Sequence, residues 1–128
     1  MARMPCSGVV VLVEDDEDTR ELLRVVLERR GYRVATAADG VEGLDLLRAT
    51  SAVCFVLLDL FMPRMDGFGV LRAIASDPKL ADLPLCLSTS APDAAPKGVA
   101  CLPKPIDLAR LFAMIDLHCL TVGAALPA

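Results

Sequence analysis

The chain has 128 residues, 55% hydrophobic and 23% charged, which excludes disorder and fits one globular domain with a real core. Its 13 basic and 17 acidic residues leave a net charge of −4, which argues against a general binder of nucleic acid or anionic membrane. No apolar run approaches the roughly 20 residues of a membrane span, and Val9 to Val13 is too short for a signal-peptide core. The expectation is one soluble, cytoplasmic domain over 1–128, with a core from about 8 to 119 and a tail over 120–128.

In chain order, Val9–Val13 reads as a strand buried on both faces. Glu17–Arg30 is a helix with Leu22, Leu23, Val26 and Leu27 on one side, ended by Gly31. Tyr32–Ala37 is a second strand, and Asp39 caps a helix that carries Val41, Leu44 and Leu47 inward. Val53–Leu58 is a third strand, followed by a loop at Phe61–Met65 and a helix over Phe68–Ser76 that stops at Asp77-Pro78. Leu83–Leu87 and Val99–Leu102 read as strands four and five, and Asp107–Cys119 as a last helix before a frayed tail from Thr121. Strands and helices in alternation predict an α/β fold, a parallel sheet covered on both faces.

Five cysteines, Cys6, Cys54, Cys86, Cys101 and Cys119, include no C-x-x-C pair, so neither a disulfide framework nor a zinc site is expected. Cys54, Cys86 and Cys101 sit in or beside apolar runs, where a free thiol acts as a small hydrophobe. His118 has no visible partner in the sequence.

In a doubly wound sheet the working site lies beyond the carboxyl ends of the strands. There stand the acids Glu14-Asp15-Asp16-Glu17-Asp18 after strand one, Asp59 after strand three, Ser88-Thr89-Ser90 after strand four, and Lys104-Pro105 after strand five. Acids that open a helix are favoured by its dipole, which accounts for Asp16, Glu17 and Asp18. It does not account for Asp59 at the end of an apolar strand, nor for Lys104 between two prolines. Converging carboxylates call for a cation, and an all-oxygen site suits Mg²⁺ or Mn²⁺. A carboxylate beside such an ion can attack phosphorus to give an acyl phosphate, with the charge neutralised by metal, lysine and hydroxyl.

These residues resemble the receiver domain of bacterial two-component response regulators, and the resemblance runs from about Val9 to His118. Its strongest segment is Leu57-Leu58-Asp59-Leu60-Phe61-Met62-Pro63-Arg64-Met65-Asp66-Gly67. The acidic cluster, the hydroxyl after strand four and Lys-Pro after strand five follow in the family's order. The resemblance implies a flavodoxin-like, doubly wound five-stranded parallel sheet of order 2-1-3-4-5. It implies phosphorylation at Asp59, with Thr89 and Lys104 assisting and Ser88 and Ser90 as competitors for the hydroxyl role. Counted back from Arg20, the metal-binding acids fall on Glu14 and Asp15, with Asp16 as the register alternative, and the Phe61 carbonyl is a further ligand. A cis bond before Pro105 is also implied. The implied donors are a sensor histidine kinase, a phosphotransfer protein or small molecules such as acetyl phosphate. The resemblance implies a chain that catalyses only its own phosphorylation and dephosphorylation, so no enzyme in the ordinary sense is expected. Its output is a shifted conformational equilibrium read by another protein, without direct nucleic-acid contact or membrane insertion.

Three features depart from the family's pattern. Thr89 to Lys104 spans 104 − 89 = 15 residues, shorter than usual by about two helical turns. The stretch Ser90–Gly98 holds Pro92 and Pro96, so the fourth helix is expected to be missing or reduced to a turn. Cys101 stands where the family places an aromatic switch residue, so the output must work differently. Phe61 and Ala91, two residues beyond Asp59 and Thr89, cannot orient a hydrolytic water, which predicts slow dephosphorylation. An exposed packing residue is the alternative reading of Phe61. Two rivals stand beside the leading reading: a degenerate receiver that binds proteins without phosphorylation, and a phosphatase of the haloacid-dehalogenase type. The latter wants its nucleophile after the first strand, where Asp16-Glu17-Asp18-Thr19 is only a weak echo.

Overall fold

The computed structural model describes residues 8–125, with side chains described through His118. The elements run β1 (Val9–Val13), α1 (Glu17–Arg29), β2 (Arg33–Ala37), α2 (Gly40–Ala49), β3 (Val53–Asp59), α3 (Gly67–Ala75), β4 (Leu85–Thr89), β5 (Ala100–Pro103) and α4 (Leu108–Ala125). The five strands form one parallel sheet of order β2-β1-β3-β4-β5, the doubly wound, flavodoxin-like arrangement expected. Alternating side chains split the core into two layers. On one face Val10, Leu12, Phe55 and Leu57 meet Leu23 and Leu27 of α1 and Leu111 and Ile115 of α4. On the other, Val11, Val13, Val56 and Leu58 meet Leu44 and Leu47 of α2 and Val70 and Ile74 of α3. This double coverage is why β1 and β3 read as unbroken apolar runs.

Helix boundaries follow their caps. Asp16, Asp39 and Asp66 each accept a backbone N–H from the residue three further on, which starts α1, α2 and α3. Gly31, at φ +100°, turns the chain out of α1 in a conformation that costs glycine little. Several boundaries shift by a residue from expectation, and three of the differences have a clear physical cause. Strand β4 runs Leu85–Thr89 instead of Leu83–Leu87, because the Leu83 N–H bonds to Leu80 O and Pro84 has no N–H to give. Pairing therefore begins at Leu85 and carries Ser88 and Thr89 into the sheet. Strand β5 starts at Ala100, since Val99 is still in a turn, its N–H on Pro96 O. Helix α4 continues from the expected end at Cys119 to Ala125, so the tail is helical where fraying was expected; no proline interrupts it there, and Ala124 and Ala125 are good helix formers. Cys6 and residues 126–128 lie outside the described residues.

The β4–β5 connection carries no α-helix, only a single 3-10 turn at Pro92–Ala94. Strands β4 and β5 are left partly uncovered beside α3, where Leu71, Ile74, Leu85 and Val99 line an open groove of about 500 Å³. Cys101 packs, half-buried, with the α2–α3 layer. Cys54 and Cys86 are buried thiols outside any disulfide, and burial foremost, then the neighbouring Cys101, pushes Cys86 up to about 11, far from a reactive thiolate. His118 does have a partner: its ring packs against Phe55 at 5.6 Å between centroids, tilted by 44°. Among the described residues no helix is long and apolar enough to cross a membrane.

Candidate functional site

Glu14 directly follows β1, and its N–H still bonds to Ala37 O at the end of β2. Its side chain is turned into the sheet edge and is 3% exposed. One carboxylate oxygen accepts the Asp16 N–H at 3.1 Å and the other lies 3.0 Å from Lys104 Nζ. Asp15 beside it is exposed. Arg20, one turn into α1, reaches back and donates to the carbonyl of Glu14 at 2.9 Å, which braces this acidic turn from behind.

Asp59 is the last residue of β3 and is 3% exposed. Its Oδ1 accepts the Phe61 N–H at 3.4 Å, and its Oδ2 lies 3.2 Å from Lys104 Nζ. The ammonium of Lys104 thus bridges Glu14 and Asp59. Burial above all, and then Glu14 and Asp15, push the Asp59 carboxyl up to about 7 against the opposing pull of Lys104. Burial alone would lower the Lys104 ammonium, but Glu14 and then Asp59 outweigh it and hold it above its ordinary value. Lys104 is brought here by its backbone, whose N–H bonds to Thr89 O at 2.9 Å, and the following peptide to Pro105 is cis.

Oxygens of Glu14, Asp15 and Asp59 all lie within 4.8 Å of one another. This hard, anionic, all-oxygen donor set fits a divalent ion of the Mg²⁺ class, and Phe61 sits on the adjoining loop. Asp16 does different work. Its carboxylate caps α1 by accepting from Thr19, which holds it below the ordinary carboxyl range, so it is engaged away from the cluster. Of the hydroxyls, Ser88 is buried opposite Asp59 in the sheet register. Thr89 ends β4, buried, and its Oγ accepts the Ala91 N–H at 3.0 Å; Ser90 is exposed beyond it.

The β3–α3 loop is tightly held. Leu60 N–H bonds to Ser88 O at 3.0 Å, and Gly67 N–H closes the loop on Leu60 O at 2.7 Å. A Cβ on Gly67 would come within 2.8 Å of the Leu60 backbone, so the glycine that follows Asp66 is required by close approach. Phe61 is 49% exposed and meets Phe68 edge-on at 6.2 Å between centroids. It is both a packing residue and an open apolar rim to the site.

Residues 10–116 match the model of the response regulator receiver domain. The chain belongs to this family. It is 41% identical over 112 residues to the response regulator MprA of Mycobacterium sp. (strain KMS), covering 81% of this chain and 47% of that protein. The chain thus spans about half the length of the curated relatives it matches. Among solved structures, a response regulator receiver protein from Pseudomonas putida superposes with a TM-score of 0.77 at 26% identity, over 91% of this chain and 99% of that one. The receiver domain from the hybrid histidine kinase CckA gives 0.75 at 29% identity, over 88% and 99%. Receiver domains bind Mg²⁺ at an acidic pocket, and Glu14, Asp15 and Asp59 form such a pocket here.

Two contacts had no local signal in the sequence. Arg20, which in the sequence only marks the register of the acids, fixes the Glu14 carbonyl. Arg64 of the β3–α3 loop pairs with Asp39, the cap of α2, at 2.9 Å.

Proposed function

We propose that this receiver accepts a phosphoryl group on Asp59 from a histidine kinase or phosphotransfer protein, and signals in the cytoplasm through protein contact. The observation that carries the reading is the Lys104 ammonium set between the buried carboxylates of Asp59 and Glu14, at 3.2 and 3.0 Å, at the carboxyl edge of the sheet. A carboxylate oxygen of Asp59 attacks phosphorus, the bond from phosphorus to the donor nitrogen or oxygen breaks, and that atom leaves with the electron pair and takes up a proton. Glu14, Asp15, Asp59 and the Phe61 carbonyl would hold Mg²⁺, which would supply charge neutralisation on the phosphoryl oxygens. Lys104 neutralises a second oxygen, and the Thr89 hydroxyl donates to the third. The same residues permit hydrolysis, and no other substrate is turned over.

The 3-10 turn and open groove in place of a fourth helix favour one second reading, a receiver that binds a partner regardless of phosphorylation. Incubation with acetyl phosphate and Mg²⁺, followed on a phosphate-affinity gel beside Asp59→Asn, separates the two. The expected result is a retarded band in wild type only. No phosphoprotein from either acetyl phosphate or a histidine kinase would favour the second reading.

A further inference from the structure

The loop that carries Phe61 is tied at its start to β4 through Leu60 and closed on itself by Gly67, but its crown, Pro63 to Met65, leans on a different element. There Arg64 adopts φ +66°, a left-handed conformation that side chains disfavour. Its guanidinium lies 2.9 Å from Asp39 Oδ2. Arg64 is 58% exposed along its side chain, whereas Asp39 is 8% exposed, so the pair has one wet and one buried partner. The other oxygen of Asp39 is spoken for, accepting the Glu42 N–H at 2.9 Å as the cap of α2. Directly beneath, Gly40 receives the loop: a Cβ there would lie 2.0 Å from the Met65 carbonyl oxygen. Met65 N–H in turn bonds to Pro63 O at 2.8 Å, which makes the crown a tight turn. The crown is therefore pressed onto the first turn of α2 by backbone contact and fastened by one ion pair.

We propose that Arg64 is a positioning residue for the phosphoacceptor site, its ion pair with Asp39 holding the Phe61-bearing loop in place for the divalent cation. The inference rests on the reading that this acidic cluster takes Mg²⁺. Arg64 touches neither the acids nor the phosphoryl group; it acts by limiting the conformations of the loop between Leu60 and Asp66. The left-handed backbone at Arg64 makes the role separable from ordinary stability. Glycine would relieve that conformation while deleting the side chain, so Arg64→Gly should leave the metal-free fold at least as stable yet loosen the loop. Asn at position 39 keeps the helix cap but loses the charge.

The test titrates MgCl₂ into the unphosphorylated full chain and reads the rise in melting temperature, with phosphorylation by acetyl phosphate measured in parallel. Arg64→Gln, Arg64→Gly and Asp39→Asn are each expected to raise the Mg²⁺ midpoint roughly threefold, the scale of one half-exposed ion pair. Arg64→Lys should restore most of it, and the double variant Arg64→Gln with Asp39→Asn should be no worse than either alone. An unchanged midpoint in both Arg64→Gln and Asp39→Asn overturns the proposal. So does a midpoint that rises only in variants whose metal-free melting temperature also falls. A wild type that binds Mg²⁺ but never takes up phosphate sinks the proposed function and leaves the Arg64 test decisive. No Mg²⁺ response in wild type overturns both.

Discussion

Asp59→Asn should make the metal-free protein more stable at pH 8. The Asp59 carboxyl is driven up to about 7 by burial first and by Glu14 next, from an ordinary 3.8. A denatured chain releases that proton near pH 4, whereas the folded chain keeps it until about 7. Between those values the folded state binds more protons than the unfolded, so stability falls as pH rises through the window and levels off above it. Roughly three pH units at about 1.4 kcal/mol each set a ceiling of about 4 kcal/mol. Lys104 opposes the effect, as does water reaching Asp15, and about 2 kcal/mol is the expected gain for Asn at pH 8. Urea unfolding in EDTA at pH 4.5 and pH 8, for wild type and variant, measures it. The variant-minus-wild-type difference should be small at the lower pH and reach about 1 M in midpoint at the higher. Because other titrating groups are common to both proteins, they cancel. A difference that does not grow with pH, or an Asn variant less stable at pH 8, would refute the account. Saturating Mg²⁺ should shrink the gap, since an ion that binds the folded carboxylates stabilises wild type more than a variant with one anionic ligand fewer.

Other expectations follow from the same contacts. Lys104→Ala strips the shared counter-charge from Glu14 and Asp59 and should cost about 2–3 kcal/mol at pH 8, and less at pH 5 where Asp59 holds its proton, by chemical denaturation. Arg30→Met loses the 2.6 Å pair with Asp116 and the seat over the Phe112 ring at 4.6 Å, tying α1 to α4, and should lower stability by about 1–2 kcal/mol. Phe61→Asn should shorten the lifetime of phosphorylated Asp59 several-fold, followed by loss of the retarded gel band after the donor is removed; unchanged or slower decay would assign Phe61 to packing alone.

Much of this architecture was legible because burial on both faces leaves a plain mark. Val9–Val13 and Val53–Leu58 are continuous apolar runs and nothing but doubly covered strands suits them. The loss of a helix between β4 and β5 was equally plain, since Pro92 and Pro96 divide a connection already too short for one. Strand β4 departs from this pattern. Its expected end at Leu87 was set by where the apolar residues stop, but the strand continues through Ser88 and Thr89, both buried. Polar residues extend a buried strand here because the sheet edge is the site, and the backbone ladder to β3 and β5 continues past the last hydrophobe. A hydrophobic pattern thus tends to end early where function begins.

The site itself divides along a similar line. Glu14, Asp59 and Lys104 could be placed together from strand ends alone, because parallel topology delivers every carboxyl end to one edge. What topology cannot deliver is the bracing between loops. Arg64 and Asp39 are 25 positions apart, in a loop crown and a helix cap, and neither position shows a periodicity that would pair them. Asp39 alone reads as a cap and Arg64 alone as a solvated charge; only the approach of the Met65 carbonyl to Gly40 makes them neighbours. The sheet edge is thus specified by pattern and the loop geometry around it by contacts with no sequence periodicity. It follows that substitutions in the loop crown should alter metal affinity in ways a strand-end motif does not foresee, while the motif stays intact.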